Sequence, residues 1–188
     1  MLTSGVTKEG RDAEFQSFMS SRWLRLVRTA YLLTGEQHTA EDLAQTTLER
    51  TYVAWRRVSK TDDPDAYVRR ILINTHARRF RGRRGVEVPA GSASDASRPH
   101  PPERDRIAQA DDREVLLRAL VELPPRQRQA VVLRYWEDLS VGEAAAAMGC
   151  STGTVKSQAA KGLAKLRQTP TLSGLIGVRS ETGKGSEK

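Results

Sequence analysis

The chain has 188 residues, of which 38% are hydrophobic and 29% are charged, and its formal net charge is +8. This length suits two small domains or one of medium size, and the positive charge favours a polyanionic partner, either nucleic acid or an anionic membrane surface. No apolar run approaches the roughly 18 residues of a membrane helix, and the first residues show no secretory pattern, so we expect a cytoplasmic protein without a membrane span. The chain has one cysteine and only three widely spaced histidines, so we expect no disulfide, metal or other cofactor.

The N-terminal part of the chain shows helical periodicity. Apolar residues recur at steps of three or four from Phe15 to Leu33, which predicts one continuous helix that stops at Gly35. The sequence TAED, beginning at Thr39, has the pattern of a capping box and predicts the start of a second helix. We expect the buried side of this second helix to consist of Leu43, Thr47, Leu48, Thr51 and Trp55.

The second helix also has a polar and acidic side, which is unsuited to contact with DNA. Such a side is either a solvated face, as on most surface helices, or a docking surface for a basic protein. Its residues are Glu41, Asp42, Gln45, Thr46 and Glu49.

A third helix is predicted from Asp63 and Pro64, which suit a cap and a first turn, to about Phe80. We expect it to pack through Tyr67, Val68, Ile71 and Leu72. From Ala66 to Val86 the chain holds seven arginines and no acidic residue. A solvated helix usually mixes both signs, because opposite charges four residues apart stabilise it, so this segment indicates contact with a polyanion. The arginines are Arg69, Arg70, Arg78, Arg79, Arg81, Arg83 and Arg84.

Two features of this region have alternative explanations. Asn74 has low helix propensity and lies among the arginines, where it either recognises a ligand or makes a hydrogen bond to a neighbouring loop. Aromatic rings are surfaces on which the bases of a single strand stack, but they also pack in ordinary cores. The rings in question belong to Tyr52, Tyr67 and Phe80.

The chain divides at a change in composition. The segment GVEVPAGSASDASRPHPP at 85–102 is rich in Pro, Ser, Ala and Gly and has neither a helical nor a strand period, which predicts a flexible linker. No alternating pattern long enough for a sheet occurs, so the predicted fold is all-α, with two small helical domains. The expected organisation is an N-terminal domain at 1–84, a flexible linker at 85–111, a C-terminal domain at 112–168 and a disordered tail at 169–188.

The C-terminal domain is predicted to contain four helices. Two of them, at 115–123 and at about 125–135, are separated by the sequence LPP. Ser140 and Glu143 form a second capping-box pattern, which opens an alanine-rich helix that ends at Gly149. The fourth helix follows at once.

The sequence GCSTGTVKSQ at 149–158 joins these last two helices, with Ser151 as the cap of the second. A short helix, a tight turn and another helix are typical of a helix-turn-helix, whose second helix enters the major groove by its N-terminal residues. Gln, Lys, Ser and Thr side chains there are suited to base edges and phosphates. The alternative is a packed helical hairpin whose polar side faces water.

Sequence signatures of catalysis are missing. The chain shows no glycine-rich phosphate loop, no Ser-His-Asp arrangement and no metal-binding carboxylate motif. We therefore expect that the protein is not an enzyme.

Together these segments resemble a bacterial RNA polymerase sigma factor of the sigma-70 family, in the extracytoplasmic-function (ECF) group and with a SigE-like pattern. AEDLAQTTLERTY resembles the helix that binds core polymerase, and DPDAYVRRILINTHARRFRGRR resembles the region 2 segment that melts and reads the −10 element. LPPRQRQAVVLRY, followed by GTVKS, resembles region 4, which binds the −35 element.

The resemblance implies a function and a set of contacts. The protein would bind core RNA polymerase, direct it to specific promoters and help to melt the −10 region, using duplex −35 DNA and single-stranded −10 DNA as partners. The resemblance leaves open whether an anti-sigma factor sequesters the chain. The implied polymerase contacts are Glu41, Asp42, Leu43, Gln45 and Glu49. The implied −10 contacts are Thr61, Asp62, Asp63, Tyr67, Arg70, Asn74, Arg78, Arg79 and Arg81. The implied −35 contacts are Thr152, Thr154, Lys156, Ser157, Gln158 and Lys161.

The chain departs from the family pattern at several positions. Tyr52 and Tyr67 stand where many members have tryptophan, Thr46 replaces a common glutamate, and Gln158 replaces the usual arginine. The main alternative function is a stand-alone helix-turn-helix regulator without a polymerase role, which would need an N-terminal sensing domain. A nucleic-acid-processing enzyme would need a metal or acid-base cluster, and a helical interaction protein would bind no DNA even with polymerase present.

Overall fold

The computed structural model describes residues 7–84 and 104–169, with side chains at 7–80 and 113–169. Every regular element in these ranges is a helix, which confirms the all-α prediction. The N-terminal group comprises α1 (Lys8–Ser20), α2 (Trp23–Thr34), α3 (Gln37–Val53), α4 (Trp55–Val58) and α5 (Pro64–Arg84). The C-terminal group comprises α6 (Arg104–Glu122), α7 (Pro125–Val131), a π-helical turn (Val132–Trp136), α8 (Val141–Met148) and α9 (Thr152–Gln168).

The prediction of one continuous helix from Phe15 to Leu33 is wrong, because the chain breaks between α1 and α2. Arg22 turns away to pair with Asp65 at the start of α5, with 2.6 Å between Nε and Oδ1. Its guanidinium also donates to the Phe18 carbonyl, which lies near the end of α1. The break is therefore stabilised by a residue far along the chain.

The predicted capping box at Thr39 is also wrong. Helix α3 begins at Gln37, and its N-cap is Glu36, whose carboxylate accepts from the backbone N–H groups of His38 (3.0 Å) and Thr39 (2.8 Å). Hydrogen bonds from the hydroxyl and then the backbone of Thr39 lower the pKa of Glu36. The buried side of the second helix is as predicted at Leu43, Thr47 and Thr51; Leu48 is half-buried, and Trp55 is buried on α4.

Helix α5 begins as the sequence predicts. The Asp63 carboxylate accepts from the backbone N–H of Ala66 at 2.8 Å, and Pro64 occupies the first turn. Val68 and Leu72 are buried as predicted. The other two predicted packing residues, Tyr67 and Ile71, are half-buried, and the helix continues past Phe80 to Arg84.

Part of the expected linker is helical. Residues 104–111 form the first turns of α6, although the composition shift suggested a linker up to 111. Glycine and proline are absent from 104 to 122, so nothing local interrupts a helix that the core holds by its later turns. The remainder of the expected linker, 85–103, and residues 170–188 of the expected tail lie outside the described residues.

The segment after α7 changes its hydrogen-bond pattern. The sequence predicts an α-helix to about Tyr135, but α7 ends at Val131 and a π-helical turn follows, in which the Glu137 N–H donates to the Val132 carbonyl at 3.0 Å. The turn delivers the side chain of Glu137 to a buried position against α2. Helix α8 then opens with the predicted capping box between Ser140 and Glu143.

The two helical groups share one apolar core. Helix α5 packs against α8, and α2 packs against α6 and the π-helical turn. Buried residues from both groups belong to one continuous cluster that includes Leu26, Leu33, Leu72, Ile73, Leu133, Ala144 and Ala147. None of the described helices is long and apolar enough to cross a bilayer. The described side chains contain no group of three or more potential metal ligands.

Candidate nucleic-acid interface

Helices α8 and α9 form the predicted helix-turn-helix. Gly149 ends α8 in the left-handed conformation with φ 61°, which glycine adopts without steric cost. The Cys150 N–H donates to the Ala145 carbonyl at 3.1 Å, and Ser151 caps α9 by accepting from the N–H of Thr154 at 3.2 Å. The turn therefore fixes the direction in which α9 leaves α8.

One side of α9 is fixed in the core. Val155, Ala159 and Leu166 are buried, while Leu163 is half-buried. At Gly162 a Cβ atom would lie 2.7 Å from Cγ2 of Val131, so α7 and α9 approach closely there.

The predicted −35 residues lie on the opposite side of α9, in its first turns. Thr152, Lys156, Ser157 and Lys161 are exposed, and Thr154 and Gln158 are partly exposed. The hydroxyl of Thr154 lies 2.9 Å from that of Ser151, so it also takes part in the cap. No carboxylate in the described part of the chain forms an ion pair with Lys156 or Lys161. A basic helix end therefore faces solvent.

Helix α5 presents a second basic surface. Arg70, Asn74 and Arg78 follow one another at steps of four and are all exposed, so they form one stripe along the helix. Asn74 makes no hydrogen bond to a neighbouring loop in the described structure, which removes that explanation for it. Arg79 is half-buried and reaches Thr46 on α3, at 3.4 Å from Nη2 to Oγ1. The side chain of Arg81 lies outside the described residues.

At the start of α5 the surface forms a groove of about 260 Å³, which we call the α5 groove. Asp63 lines it and is engaged as the cap of α5 and in an ion pair with Arg69, at 3.2 Å. Thr61 and Asp62 are exposed, and the Thr61 hydroxyl donates to the Val58 carbonyl at 2.7 Å. The lining from the N-terminal group is Thr61, Asp63, Ala66, Tyr67, Arg69 and Arg70, and that from α8 is Glu143, Ala146 and Ala147. Asn74 lies two turns further along α5 and does not line it.

The aromatic residues separate into two kinds. Tyr67 lines the α5 groove; its hydroxyl accepts from Arg57, whose guanidinium carbon lies 5.5 Å from the ring centroid. Tyr52 instead packs edge-on against Phe15 and donates to Asp12 at 2.6 Å, so its role is structural. Phe80 packs on the ring of His76, with 4.8 Å between centroids. Only Tyr67 of the three candidates therefore lies in a groove where a base could stack.

Sequence reasoning missed Arg57, which contacts Tyr67, and Arg69, which lines this groove. Arg57 lies on the short helix α4 and donates to the hydroxyl of Tyr67 on α5. Arg69 was visible as one of the seven arginines, but only the geometry shows that it lines the groove.

The acidic side of α3 is exposed at four of its five predicted polymerase contacts. Glu41, Asp42, Gln45 and Glu49 all face solvent, with Glu41 accepting from Gln37 at 2.5 Å. Leu43 is wholly buried, so its side chain does not face solvent with the other four in this conformation. Leu43 directly follows Asp42 in the sequence, and its side chain lies on the side of α3 that faces the core.

Glu137 forms the first of two buried polar contacts between the helical groups. Its side chain is only 4% exposed and pairs with Arg25 of α2, with 2.6 Å between Nη2 and Oε2. The hydroxyl of Thr29 donates to the other carboxylate oxygen. A buried carboxylate is stable only with such partners, so Glu137 ties the π-helical turn to α2.

The second buried contact centres on His76. Its Nε2 lies 3.0 Å from the Leu33 carbonyl, and its Nδ1 lies 2.9 Å from the side-chain nitrogen of Gln129 on α7. The same Leu33 carbonyl accepts from Arg128 at 2.5 Å, and Gln129 also donates to the Ile73 carbonyl at 3.2 Å. Burial, followed by the charges of Arg128 and Arg79, lowers the pKa of His76 to about 4. Burial also lowers the pKa of Arg128 to about 10.

These features define an all-helical protein with a helix-turn-helix and a second arginine-rich surface. Two family models match it: Sigma-70 region 2 over residues 20–86 and Sigma-70, region 4 over residues 113–166. The RNA polymerase sigma-E factor of Streptomyces coelicolor is 41% identical over 159 residues, which are 85% of this chain and 87% of that protein. The ECF RNA polymerase sigma factor SigE of Mycolicibacterium smegmatis is 35% identical over 76% of this chain and 56% of its own length.

A solved structure agrees with these relatives. The sigma factor RpoE from Bartonella quintana, in complex with the anti-sigma factor NepR, is 26% identical, with a TM-score of 0.63 over 82% of this chain and 96% of that one. The chain belongs to the sigma-70 family of RNA polymerase sigma factors, in its extracytoplasmic-function group.

Proposed function

We propose that this chain binds core RNA polymerase, directs it to specific promoters and helps to open the −10 region. The observation that carries this function is the presence of both region 2 and region 4 in one chain, with 41% identity to a sigma-E factor over most of its length. A stand-alone regulator would have a sensing domain where this chain has region 2.

The −35 element is assigned to the exposed side of α9. The free N–H groups and positive dipole end at its N-terminus attract phosphate, and Lys156 adds a formal charge. Ser157 and Gln158 are the polar side chains nearest to base edges, and a glutamine pairs with adenine. This assignment covers Thr152, Thr154, Lys156, Ser157, Gln158 and Lys161.

The −10 strand is assigned to the α5 groove and to the stripe that continues from it. Extracting a base from the stack costs a few kcal/mol, which a ring platform and phosphate neutralisation offset. Tyr67 supplies the platform, Thr61 and Asp62 the exposed loop, and Arg70 with Arg78 the positive charge. Asn74 lies in the stripe, where its amide is free to contact a base or the sugar-phosphate backbone.

Core polymerase is assigned to the acidic side of α3, through Glu41, Asp42, Gln45 and Glu49. This side is acidic, whereas α5 is rich in arginine, so core polymerase and DNA would bind to surfaces of opposite charge. We further propose that the chain acts in the cytoplasm and carries out no covalent chemistry itself. Because the RpoE of Bartonella quintana was solved with an anti-sigma factor, a similar protein partner is proposed here.

A direct test is complex formation with bacterial core polymerase, measured by gel filtration and native mass spectrometry. The wild-type chain should form a one-to-one complex, and Asp42→Lys should weaken it. Glu14→Lys makes the same charge change on exposed α1 and serves as the control. If the wild-type chain forms no complex but binds specific duplex DNA, the stand-alone regulator is the correct function.

A further inference from the structure

The ring assigned to base stacking is contacted at its hydroxyl end by a residue of another helix. The guanidinium of Arg57 donates to the hydroxyl of Tyr67, and its central carbon lies 5.5 Å from the ring centroid. The guanidinium carbon of Arg22, by comparison, lies only 4.0 Å from the centroid of Phe18. Arg57 is therefore displaced towards the hydroxyl end of Tyr67 and does not lie squarely over the ring face that a base would use.

Helix α4 gives Arg57 a fixed position beside this ring. Trp55 and Val58 anchor the helix in the core, and the Trp55 ring packs against two aromatic rings of α1. The Val58 carbonyl also accepts from the hydroxyl of Thr61, at 2.7 Å, in the loop that lines the α5 groove. Helix α4 thus holds both the loop and Arg57 against the residues around Tyr67.

Arg57 has no acidic partner among the described side chains. It is exposed, and in this part of the chain it forms no ion pair and no side-chain hydrogen bond other than the one to Tyr67. Arg69, which lines the groove, is instead paired with Asp63 at 3.2 Å. The described contact of the Arg57 guanidinium is therefore directed at the stacking ring itself.

This contact depends on a tyrosine at position 67. A phenol oxygen accepts a hydrogen bond, whereas an indole carries only a donor N–H and cannot accept one from a guanidinium. Many sigma factors have tryptophan where this chain has Tyr67, so the pair with Arg57 belongs to this chain and not to the general pattern.

We propose that Arg57 is a positioning residue of the −10 site, whose hydrogen bond to the hydroxyl fixes the ring of Tyr67 in the orientation that stacks the extruded base. The inference rests on the proposed function, because it takes Tyr67 as the platform for the −10 strand. A ring that is already ordered in the free protein loses less side-chain entropy on binding than a mobile ring. Arg57 acts through Tyr67 and makes no contact with a phosphate.

A double-mutant cycle with one control tests this proposal in the full-length chain. Arg57→Met keeps an unbranched apolar stem and removes the donors, and Tyr67→Phe keeps the ring and removes the acceptor. The double variant completes the cycle. Arg56→Met makes the same charge change at the adjacent exposed residue of α4 and serves as the control.

Each chain is assembled with bacterial core polymerase, and two fluorescent probes are made from one promoter that the wild-type holoenzyme transcribes. The fork probe carries the −10 non-template strand as a single strand, and the duplex probe ends upstream of it. Fluorescence anisotropy gives the dissociation constants at several salt concentrations. Thermal unfolding of the free chains shows whether the variants keep their fold.

Arg57→Met and Tyr67→Phe should each weaken binding of the fork probe about threefold to tenfold relative to Arg56→Met. The double variant should bind no more weakly than either single variant, because both remove the same interaction. Binding of the duplex probe should not change, and the salt dependence of Arg57→Met should equal that of the control.

Additive losses, or unchanged affinity of Arg57→Met for the fork probe, would overturn the proposal. A salt dependence lower than that of Arg56→Met by about one counterion would also overturn it, because Arg57 would then neutralise a phosphate directly. If Arg57→Met unfolds more readily than the control, Tyr67→Phe decides alone, and its unchanged fork binding would refute the positioning role. A wild-type holoenzyme that transcribes no promoter counts against the proposed function, whereas wild-type fork binding without coupled losses overturns this inference alone.

Discussion

The buried histidine in the contact between the two helical groups gives the sharpest quantitative prediction. Burial lowers the pKa of His76 from 6.5 to about 4, so the folded protein holds this imidazole neutral at pH values where the unfolded chain protonates it. The stabilisation from the neutral ring is fully present above about pH 6.5 and is lost as the pH falls towards 4. A pKa shift of this size corresponds to about 3 kcal/mol of unfolding free energy, and most of this stabilisation is lost by the time the pH has fallen to about 4.5.

The assay compares urea unfolding of the wild-type chain and of His76→Gln at about pH 7 and about pH 4.5. Glutamine retains a donor for the Leu33 carbonyl but does not titrate. The wild-type protein should lose about 2 to 3 kcal/mol more than the variant over this interval, and a proton NMR titration should show one histidine that remains neutral below pH 6. Equal losses in the two proteins would refute the reasoning, because the carboxylates that both share would then account for the whole pH dependence.

The remaining predictions concern DNA binding and the turn. Lys156→Ala should weaken binding to −35 duplex DNA and should lower the number of counterions released on binding by about one, measured by filter binding at several salt concentrations. Lys165 is exposed further along α9, and Lys165→Ala should change the affinity and its salt dependence little. Asn74→Ala should slow promoter opening, followed by permanganate footprinting, more than it weakens the closed complex; equal losses in both steps would count against its place in −10 recognition. Gly149→Ala should cost about 1 kcal/mol of stability because φ is 61°, and Gly142→Ala, inside α8 and free of close contacts, should cost nothing or stabilise in thermal unfolding. A similar melting temperature for both glycine variants would argue against the left-handed turn.

The parts of the fold that the sequence predicted are those encoded locally. The caps at Asp63, Ser140 and Ser151 follow from short side chains that bond to nearby backbone N–H groups, and all three occur in the structure. Gly149 likewise follows from a backbone conformation that disfavours other residues.

The errors arose where distant residues decide the local structure. The break before Arg22 depends on Asp65, which is 43 positions away, and no local signal marks it. Glu36 caps α3 although glutamate is not a preferred N-cap residue, whereas threonine, as at Thr39, is one.

The candidate site was predictable in its residue types and less so in its geometry. The exposed residues of α9 and the stripe on α5 follow from spacing. The contact of Arg57 with Tyr67 and the position of Glu143 in the α5 groove depend on packing. Glu137 has no sequence signature, since its buried position depends on a π-helical turn and on α2. Leu43 lies among acidic neighbours in the sequence, but its position in the helical repeat places it in the core.

The central claim, that this chain gives core polymerase its promoter specificity, is tested most directly by mapping transcript starts. The purified chain is mixed with bacterial core polymerase and fragmented genomic DNA, and the run-off transcripts are sequenced from their 5′ ends. We predict discrete start sites that share two upstream elements and that disappear when the chain is omitted. Start sites that are the same with and without the chain, despite a stable complex with polymerase, would contradict it.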